Sequence, residues 1–358
     1  MRIGVVAENP IERVLLAAGV LPTPLLETLQ AMLLARSLVV ASKLGVFEGL
    51  ASEPLTSRQL AEAIGTDPRA TAKLLNALVG ARYLRHRHGR YRLTRAARRW
   101  LLARSRQSLH DNMLFRFLEW DLLDGVESFV RSGDPLEVHR NIDPEGWNVY
   151  QRGMRSLASL SADEVARRLP VPKDATTMLD IGGSHGYYAV CLCRHHPGLR
   201  ATILDLPRAV EHAAPILAEE NMGERVVHWA GDALKEDLGE ETWDLVFICN
   251  LVHHFDDETN RALACRVARA LRPRGAFAIL EPVRPESPES GGQTGALLDL
   301  YFALTSDSGT WSLDEMADWQ RQAGLEPRKP IHLRSLPGQA IQIAVKREKR
   351  SGPAAARS

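Results

Sequence analysis

Met178-Leu179-Asp180-Ile181-Gly182-Gly183-Ser184-His185-Gly186 is the stretch on which the reading of this chain turns. An apolar run that ends in an acid and then in small residues is how a buried parallel strand passes into a helix across a ligand. Glycines at such a turn let backbone approach a bound molecule and adopt φ values that a Cβ opposes. A helix-compatible segment around Leu192 follows, and then a second apolar run, Ala201-Thr202-Ile203-Leu204-Asp205. The unit is strand, glycine turn, helix, strand. Its second strand closes on an acid about 20 residues beyond the glycines, where a carboxylate that grips a ribose is expected.

A dinucleotide site requires G-x-G-x-x-G, and from Gly182 this chain reads G-G-S-H-G-Y. With no pyrophosphate to seat, the turn fits an adenosine ligand bearing an amino-acid tail better. The alternation continues toward the C-terminus. Val226-Val227-His228-Trp229 leads to Gly231-Asp232-Ala233, Leu245 to Cys249 leads to Asn250-Leu251-Val252-His253-His254-Phe255-Asp256-Asp257-Glu258, and Ala276 to Leu280 ends at Glu281-Pro282. Ligands of open parallel sheets bind beyond the carboxyl ends of the strands. Asp205, Asp232, His253 and Glu281 all fall there, which predicts one composite site. Late runs at Ile331-His332-Leu333 and Ile341 to Val345 predict a closing pair of strands, with a helix capped by Ser312 and Glu315 before them.

A length of 358 residues predicts two domains, because single cores stop growing near ~250–300 residues. Upstream, Thr23 as N-cap and Pro24 open an apolar helix that ends near Gly45. Thr56 and Gln59 form a capping box for a helix ending at Gly65, and Asp67-Pro68 starts another. A hairpin turns at His88-Gly89, and Arg95 to Ser108 reads as a further helix. Helix, turn, helix, hairpin is a winged helix-turn-helix. From Arg69 to His110 there is no Asp or Glu among ten Arg and Lys residues or more, which raises a DNA-binding regulator as a reading. The apolar helix in front points instead to subunit packing, with the basic residues as a solvated face. Pro22, Pro24, Glu27, Arg36 and Lys43 interrupt the apolar run from Val14 to Phe47, so no membrane span is expected.

Apolar content of 45%, charged content of 25% and a net charge of +1 are those of an ordinary globular protein and favour no acidic partner. Cys191, Cys193, Cys249 and Cys265 lack the spacing of a metal site, and reduced buried thiols in a cytoplasmic protein are expected. Between Asp111 and Met154, the large apolar groups Met113, Phe115, Phe117, Trp120, Phe129, Trp147, Tyr150 and Met154 are core, with some expected to line a pocket for a flat organic substrate.

With these motifs assembled, the chain resembles the class I S-adenosylmethionine-dependent O-methyltransferases of the plant caffeate and hydroxyindole type and their bacterial relatives. The match runs roughly from Leu29 to Val345, and its most specific pieces are Leu179-Asp-Ile-Gly-Gly, Leu204-Asp-Leu-Pro, Gly231-Asp-Ala and Leu251-Val-His-His-Phe-Asp-Asp-Glu. The resemblance implies a winged-helix dimerisation domain over residues 1–108. A Rossmann-like α/β domain with a mostly parallel doubly wound sheet would cover 109–345. Its opening part, 109–165, would connect the domains and supply pocket helices, and 346–358 would be a disordered tail. It implies S-adenosylmethionine as cofactor and S-adenosylhomocysteine as product, no metal, a homodimer, and neither nucleic acid nor membrane as partner.

By the same resemblance, Asp180, Gly182 and Gly186 wrap the methionine portion and Asp205 accepts from the ribose hydroxyls. Leu206 and Ala233 pack against adenine, and Asp232 takes its exocyclic amine. His253 matches the catalytic base and Glu281 the acid that orients it. Three positions depart from the pattern. His254 stands where the family commonly has Asp, Thr310 falls near a second histidine-orienting Glu, and Cys249 replaces a cofactor-contacting Lys. The residues alone leave open whether His253 or His254 is the base, and whether oxygen, carbon or nitrogen is methylated.

Overall fold

The computed structural model describes residues 4–136, 142–306 and 308–348. Two compact units divide between Asp121 and Leu122. The division falls near the end of the His110–Leu123 helix. The reason is local packing: Met113 joins the N-terminal core, and the Arg36 guanidinium lies over the rings of Phe117 and Trp120 at 4.6 and 5.0 Å.

In the N-terminal unit, Thr56 and Gln59 complete a reciprocal capping box for the Ser57–Ile64 helix, which stops at Gly65 with φ of +69°. Asp67 caps the Pro68–Gly80 helix through the Ala70 N–H. Strands β1 (Leu84–Arg87) and β2 (Arg90–Leu93) pair antiparallel. The turn residues between them, His88 and Gly89, both have positive φ, the geometry that suits the twist of a tight hairpin. Phe47, Leu50, Leu60, Leu75, Leu78 and Leu84 form the core. Helix after the hairpin is limited to Arg95–Trp100 and does not reach Ser108. The Ser105 hydroxyl takes the Arg99 carbonyl at 2.5 Å, a side-chain competitor for helical backbone.

The first long helix differs from expectation as well. Thr23 is its first residue and not its cap, and the chain stays helical through a π turn, Leu26–Gln30, into Ala31–Lys43. Pro22 and Pro24 therefore sit at its start, where proline is tolerated. The resulting 21-residue Thr23–Lys43 segment is long and apolar enough, by length and composition, to cross a membrane. Leu25, Leu29, Met32, Leu33 and Leu34 are exposed along it.

The second unit is built on an eight-stranded sheet. Its strands are β3 (Thr177–Ile181), β4 (Arg200–Asp205), β5 (Val226–Ala230), β6 (Trp243–Cys249), β7 (Leu271–Pro282), β8 (Leu325–Pro327), β9 (Ile331–His332) and β10 (Gln339–Lys346). The order is β5-β4-β3-β6-β7-β10-β8, with β9 beside β10; the first five run parallel and β10 is antiparallel to β7. Successive β6 residues feed opposite layers: Leu245 and Phe247 join one core, and Val246 and Ile248 the other. This period of two is what buries an uninterrupted apolar strand on both faces. The Tyr187–His195 helix covers the first face, and the Asp257–Ala270 and Leu313–Gln322 helices cover the second.

From β3 the chain winds outward to β4 and β5, then returns to place β6 on the other side of β3. That reversal opens a crevice above the carboxyl ends of β3 and β6. Cys191 and Cys193 are buried, but Cys265 is exposed on its helix, against the expectation of four buried thiols. Lys346 ends β10, and residues 349–358 of the expected tail lie outside the described residues.

Candidate active site

At the end of β3, Gly182 has φ of +68°, and a Cβ there would meet the Leu251 side chain at 2.8 Å. Ser184 also adopts positive φ, 52°, a sparsely populated conformation for a residue with a side chain. Three contacts hold it. Its N–H donates to Asp205 Oδ2 at 2.8 Å, its carbonyl pairs with His228 Nε2 at 2.8 Å, and its hydroxyl donates to Gln151 Oε1. Strand tips β3, β4 and β5 are thereby tied to the Pro144–Ala158 helix.

Above this turn lies a cavity of about 460 Å³ whose walls include Trp147, Tyr150, Gln151, Gly182, Asp205, Leu206, Asp232, Ala233, Leu251, His254 and Phe255. A smaller chamber of about 90 Å³, bounded by Asp180, Gly183, Tyr188, Cys249, Leu336 and Gln339, shares Tyr150, Gly182, Ser184 and Asn250 with it. Of the predicted cofactor residues, Gly182, Asp205, Leu206, Asp232 and Ala233 share the large cavity and Asp180 faces the small chamber. Gly186 lies on neither wall. Its φ is +70° and a Cβ would come within 2.3 Å of Ile203, so it sets how closely the following helix approaches the sheet.

The two buried acids differ from ordinary carboxylates. Burial pushes Asp180 up to about 8, and the neighbouring Asp205 charge adds to the shift. Burial also raises Asp205, to about 6, although the N–H groups of Leu206 and Ser184 pull the other way. Asp232 is held low by Lys235, at 2.9 Å, and by the Leu234 N–H. His185, buried beside the chamber, is driven down to about 3 by burial and by the charges of Arg155 and His228. It is a neutral ring that accepts from the Tyr187 N–H.

Beyond β6, the Val252–His254 turn carries the two histidines. His253 Nδ1 stands 2.8 Å from Glu281 Oε2, and both side chains are buried. The other oxygen, Oε1, accepts from the N–H groups of Leu251 and Val252 at 2.7 and 3.0 Å. With a carboxylate as its partner, Nδ1 must carry the proton, which leaves Nε2 as the acceptor. The Phe302 ring packs 4.3 Å from that of His253. His254 lines the large cavity, and His253 is not among its lining residues.

Supports around this turn were not legible as such in the sequence. Val252 O accepts from Asn260 Nδ2 and Trp311 Nε1 at 2.9 and 3.0 Å, and Phe255 O accepts from Asn260 and from Ser308. Thr310 is buried and donates its N–H and hydroxyl to Asp299. Cys249 lines the small chamber near Asp180. Among the described residues no group of three or more His, Cys, Asp or Glu side chains is placed to hold a metal ion.

Fold and cavity together define a doubly wound α/β enzyme with a histidine–glutamate pair at the tip of its sheet. Residues 129–325 match the O-methyltransferase domain family and residues 26–103 match the O-methyltransferase dimerisation domain, and the chain belongs to this family. It is similar to the 3-hydroxy-5-methyl-1-naphthoate 3-O-methyltransferase of Streptomyces sahachiroi, with 26% identity over 341 residues, 91% of this chain and 95% of that protein. Acetylserotonin O-methyltransferase of Mus musculus is 28% identical over 339 residues, 86% of each chain. The solved structure of human N-acetylserotonin methyltransferase in complex with SAM matches with a TM-score of 0.81 at 19% identity, covering 96% of this chain and all, 100%, of that one.

Proposed function

We propose that this O-methyltransferase uses S-adenosylmethionine to methylate a hydroxyl of an aromatic or polyketide-like small molecule, with His253 as general base. One observation carries the reading: Glu281 fixes the proton on Nδ1 of His253 at the sheet tip that also presents Asp205 and Asp232 to one cavity. The same observation favours His253 over His254, and a base of this kind has its use in activating a hydroxyl.

The residues fit the cofactor. Asp205 and Asp232 offer acceptors of the kind a ribose and an exocyclic amine would use, and Leu206 and Ala233 add apolar wall suited to an adenine, all on one cavity. Asp180 Oδ1, Asn250 Oδ1 and Gln151 Nε2 are buried without partners. Unmet polar atoms cost roughly 1–3 kcal/mol each, and an amino-acid arm bearing both an ammonium and a carboxylate would satisfy acceptors and donor alike. When bound, the cofactor supplies an electrophilic methyl carbon on a sulfonium whose leaving group is a neutral thioether.

The chain's own task is then positioning and proton transfer. A phenol of pKa ~10 keeps its proton at neutral pH, and a neutral imidazole can take it as the new bond forms. Such assistance contributes about 10²–10⁴-fold. Glu281 stabilises the resulting imidazolium across its 2.8 Å contact. Aromatic side chains at the site, Trp147, Tyr150, Phe255 and Phe302, suit a flat acceptor, and the relatives named for naphthoate and acetylserotonin support that class.

The exposed leucines of the Thr23–Lys43 helix, which overlaps the dimerisation match, are the surface through which we take the protein to form a homodimer. Calorimetry with S-adenosylhomocysteine on wild type and Asp205→Ala tests the cofactor assignment. Tight binding that the variant weakens at least tenfold is expected, and equal affinity for both would remove the assignment.

A further inference from the structure

The small chamber beside the glycine turn poses a specific question. Three acceptors in its lining are unmet. Asp180 Oδ1, Asn250 Oδ1 and Gln339 Oε1 are all buried without partners and all face it. They come from three different strand ends: Asp180 from β3, Asn250 from the residue after β6, and Gln339 from the first position of β10. The rest of the wall includes the apolar Met154, Leu157 and Leu336 and the polar Ser184, His185 and Tyr188. Three unmet acceptors on the wall of one chamber match in number the three N–H donors of a primary ammonium. Asn250 holds its place with a positive φ of 50°, a strained conformation of the kind stored at binding sites.

Gln339 is the unexpected member. It opens the antiparallel strand opposite Pro282, outside every motif that marks the cofactor site in the sequence. Its backbone is engaged: Leu333 N–H donates to its carbonyl at 2.9 Å, and its own N–H donates to Leu336 O at 3.1 Å. Its side-chain oxygen is buried without a partner. The loop before it is fastened from a distance. Glu164, on the Ala162–Arg168 helix, accepts from the N–H groups of Arg334 and Ser335 at 2.9 and 2.8 Å and pairs with Arg168. Gly338 O is tied to the Val283 N–H at 2.9 Å. A side chain that strays by one ångström no longer reads a ligand, and these ties hold Gln339 at the chamber wall.

We propose that Gln339 completes, with Asp180 and Asn250, a three-acceptor cage for the ammonium of the cofactor's amino-acid arm, and that Glu164 positions the loop that delivers it. The proposal rests on the cofactor reading above. It makes the chamber a selectivity device: an adenosyl thioether that lacks the amino-acid arm has nothing to place there.

The test is calorimetry with two ligands, S-adenosylhomocysteine and 5′-methylthioadenosine, the second being the same nucleoside thioether without the arm. Loss of a hydrogen bond to a charged group predicts that Gln339→Leu weakens S-adenosylhomocysteine about 10–100-fold and leaves methylthioadenosine where it was. Gln339→Glu keeps an acceptor and retains S-adenosylhomocysteine binding. Glu164→Ala, which touches no ligand, shifts the ratio of the two affinities in the same direction as Gln339→Leu. Undiminished S-adenosylhomocysteine affinity in Gln339→Leu overturns the proposal while leaving the cofactor reading intact, and so does an equal loss for both ligands. Wild-type protein that binds neither compound overturns the cofactor reading and this inference with it.

Discussion

Glu281 divides its two carboxylate oxygens between one side chain and one stretch of backbone: Oε2 meets His253 Nδ1 at 2.8 Å, and Oε1 gathers the N–H groups of Leu251 and Val252. One acid at the end of β7 thus sets both the tautomer of the histidine and the path of the turn that carries it. A charge-assisted contact of this kind is about twice as strong as a neutral one. It is also one in which truncation does damage twice, through the ring and through the backbone.

The base assignment predicts a split between the two histidines. His253→Ala should lower kcat by about 10²–10⁴-fold and leave S-adenosylhomocysteine affinity unchanged. His254→Ala, on the cavity wall, should act mainly on KM or on cofactor affinity. Glu281→Gln should lower kcat and distort its pH profile, since an amide can turn either way toward Nδ1. Methyl transfer followed by mass spectrometry, with a panel of hydroxylated aromatics, measures all three. A His253→Ala enzyme with near-normal turnover would move the reaction to an acceptor that needs no base.

Asp180 predicts a pH dependence of folding. Burial first, and then the charge of Asp205, raise it to about 8 in the folded chain, against ~3.9 when unfolded. Between those values the native state holds a proton that the unfolded state has released. Stability therefore falls as pH rises across that window. Ligand-free wild type should lose denaturation midpoint from about pH 5 to 8, and Asp180→Asn should show a flatter profile over the same range. Urea titrations at fixed pH steps give the comparison. A wild-type profile that rises through the window contradicts the burial of this acid.

Much of this arrangement was readable before any coordinates. The β3 and β4 strands, the capping boxes at Thr56 and Ser312, and the acids at strand ends declare themselves locally, because periodicity and cap chemistry act over a few residues. What escaped depends on distant contacts. β7 begins at Leu271, five residues before Ala276, because its pairing with β6 shifts register across Arg272-Pro273-Arg274-Gly275, a segment that reads as a turn. The short β8 has no signature in sequence, since three residues carry no period. A glycine needed for packing and one needed for binding look alike in sequence, and at Gly186 the structure shows the packing constraint. Gln339 bears no motif at all; its role follows from the place where β10 happens to start.

The N-terminal helix predicts an assembly. Leu25, Leu29, Met32 and Leu33 are 54–60% exposed, and exposed apolar side chains gathered at helical spacing mark an interaction face. Leu29→Glu together with Leu33→Lys should convert a dimer to a monomer in sedimentation equilibrium. Unchanged mass would place the interface elsewhere. Co-sedimentation of wild type with lipid vesicles, lost in the double variant, would instead assign this face to a membrane surface.

Asn260 gives the most stringent test of how the catalytic turn is held. Its side chain is buried, and its Nδ2 serves the carbonyls of Val252 and Phe255 at 2.9 and 3.1 Å, on either side of the histidines. Trp311 adds a second donor to Val252 O. Neither residue lines the cavity, so neither should contact the cofactor. Asn260→Ala should cost about 1–3 kcal/mol of stability from the two hydrogen bonds lost. If the turn does the aligning, it should also lower kcat several-fold at unchanged S-adenosylhomocysteine affinity, because small misplacements of a base are expensive. Trp311→Phe, which removes the indole N–H together with one of its two rings, should reproduce the loss of kcat. Variants that lose stability yet keep full turnover when folded would show that Glu281 alone is enough to hold His253 in place.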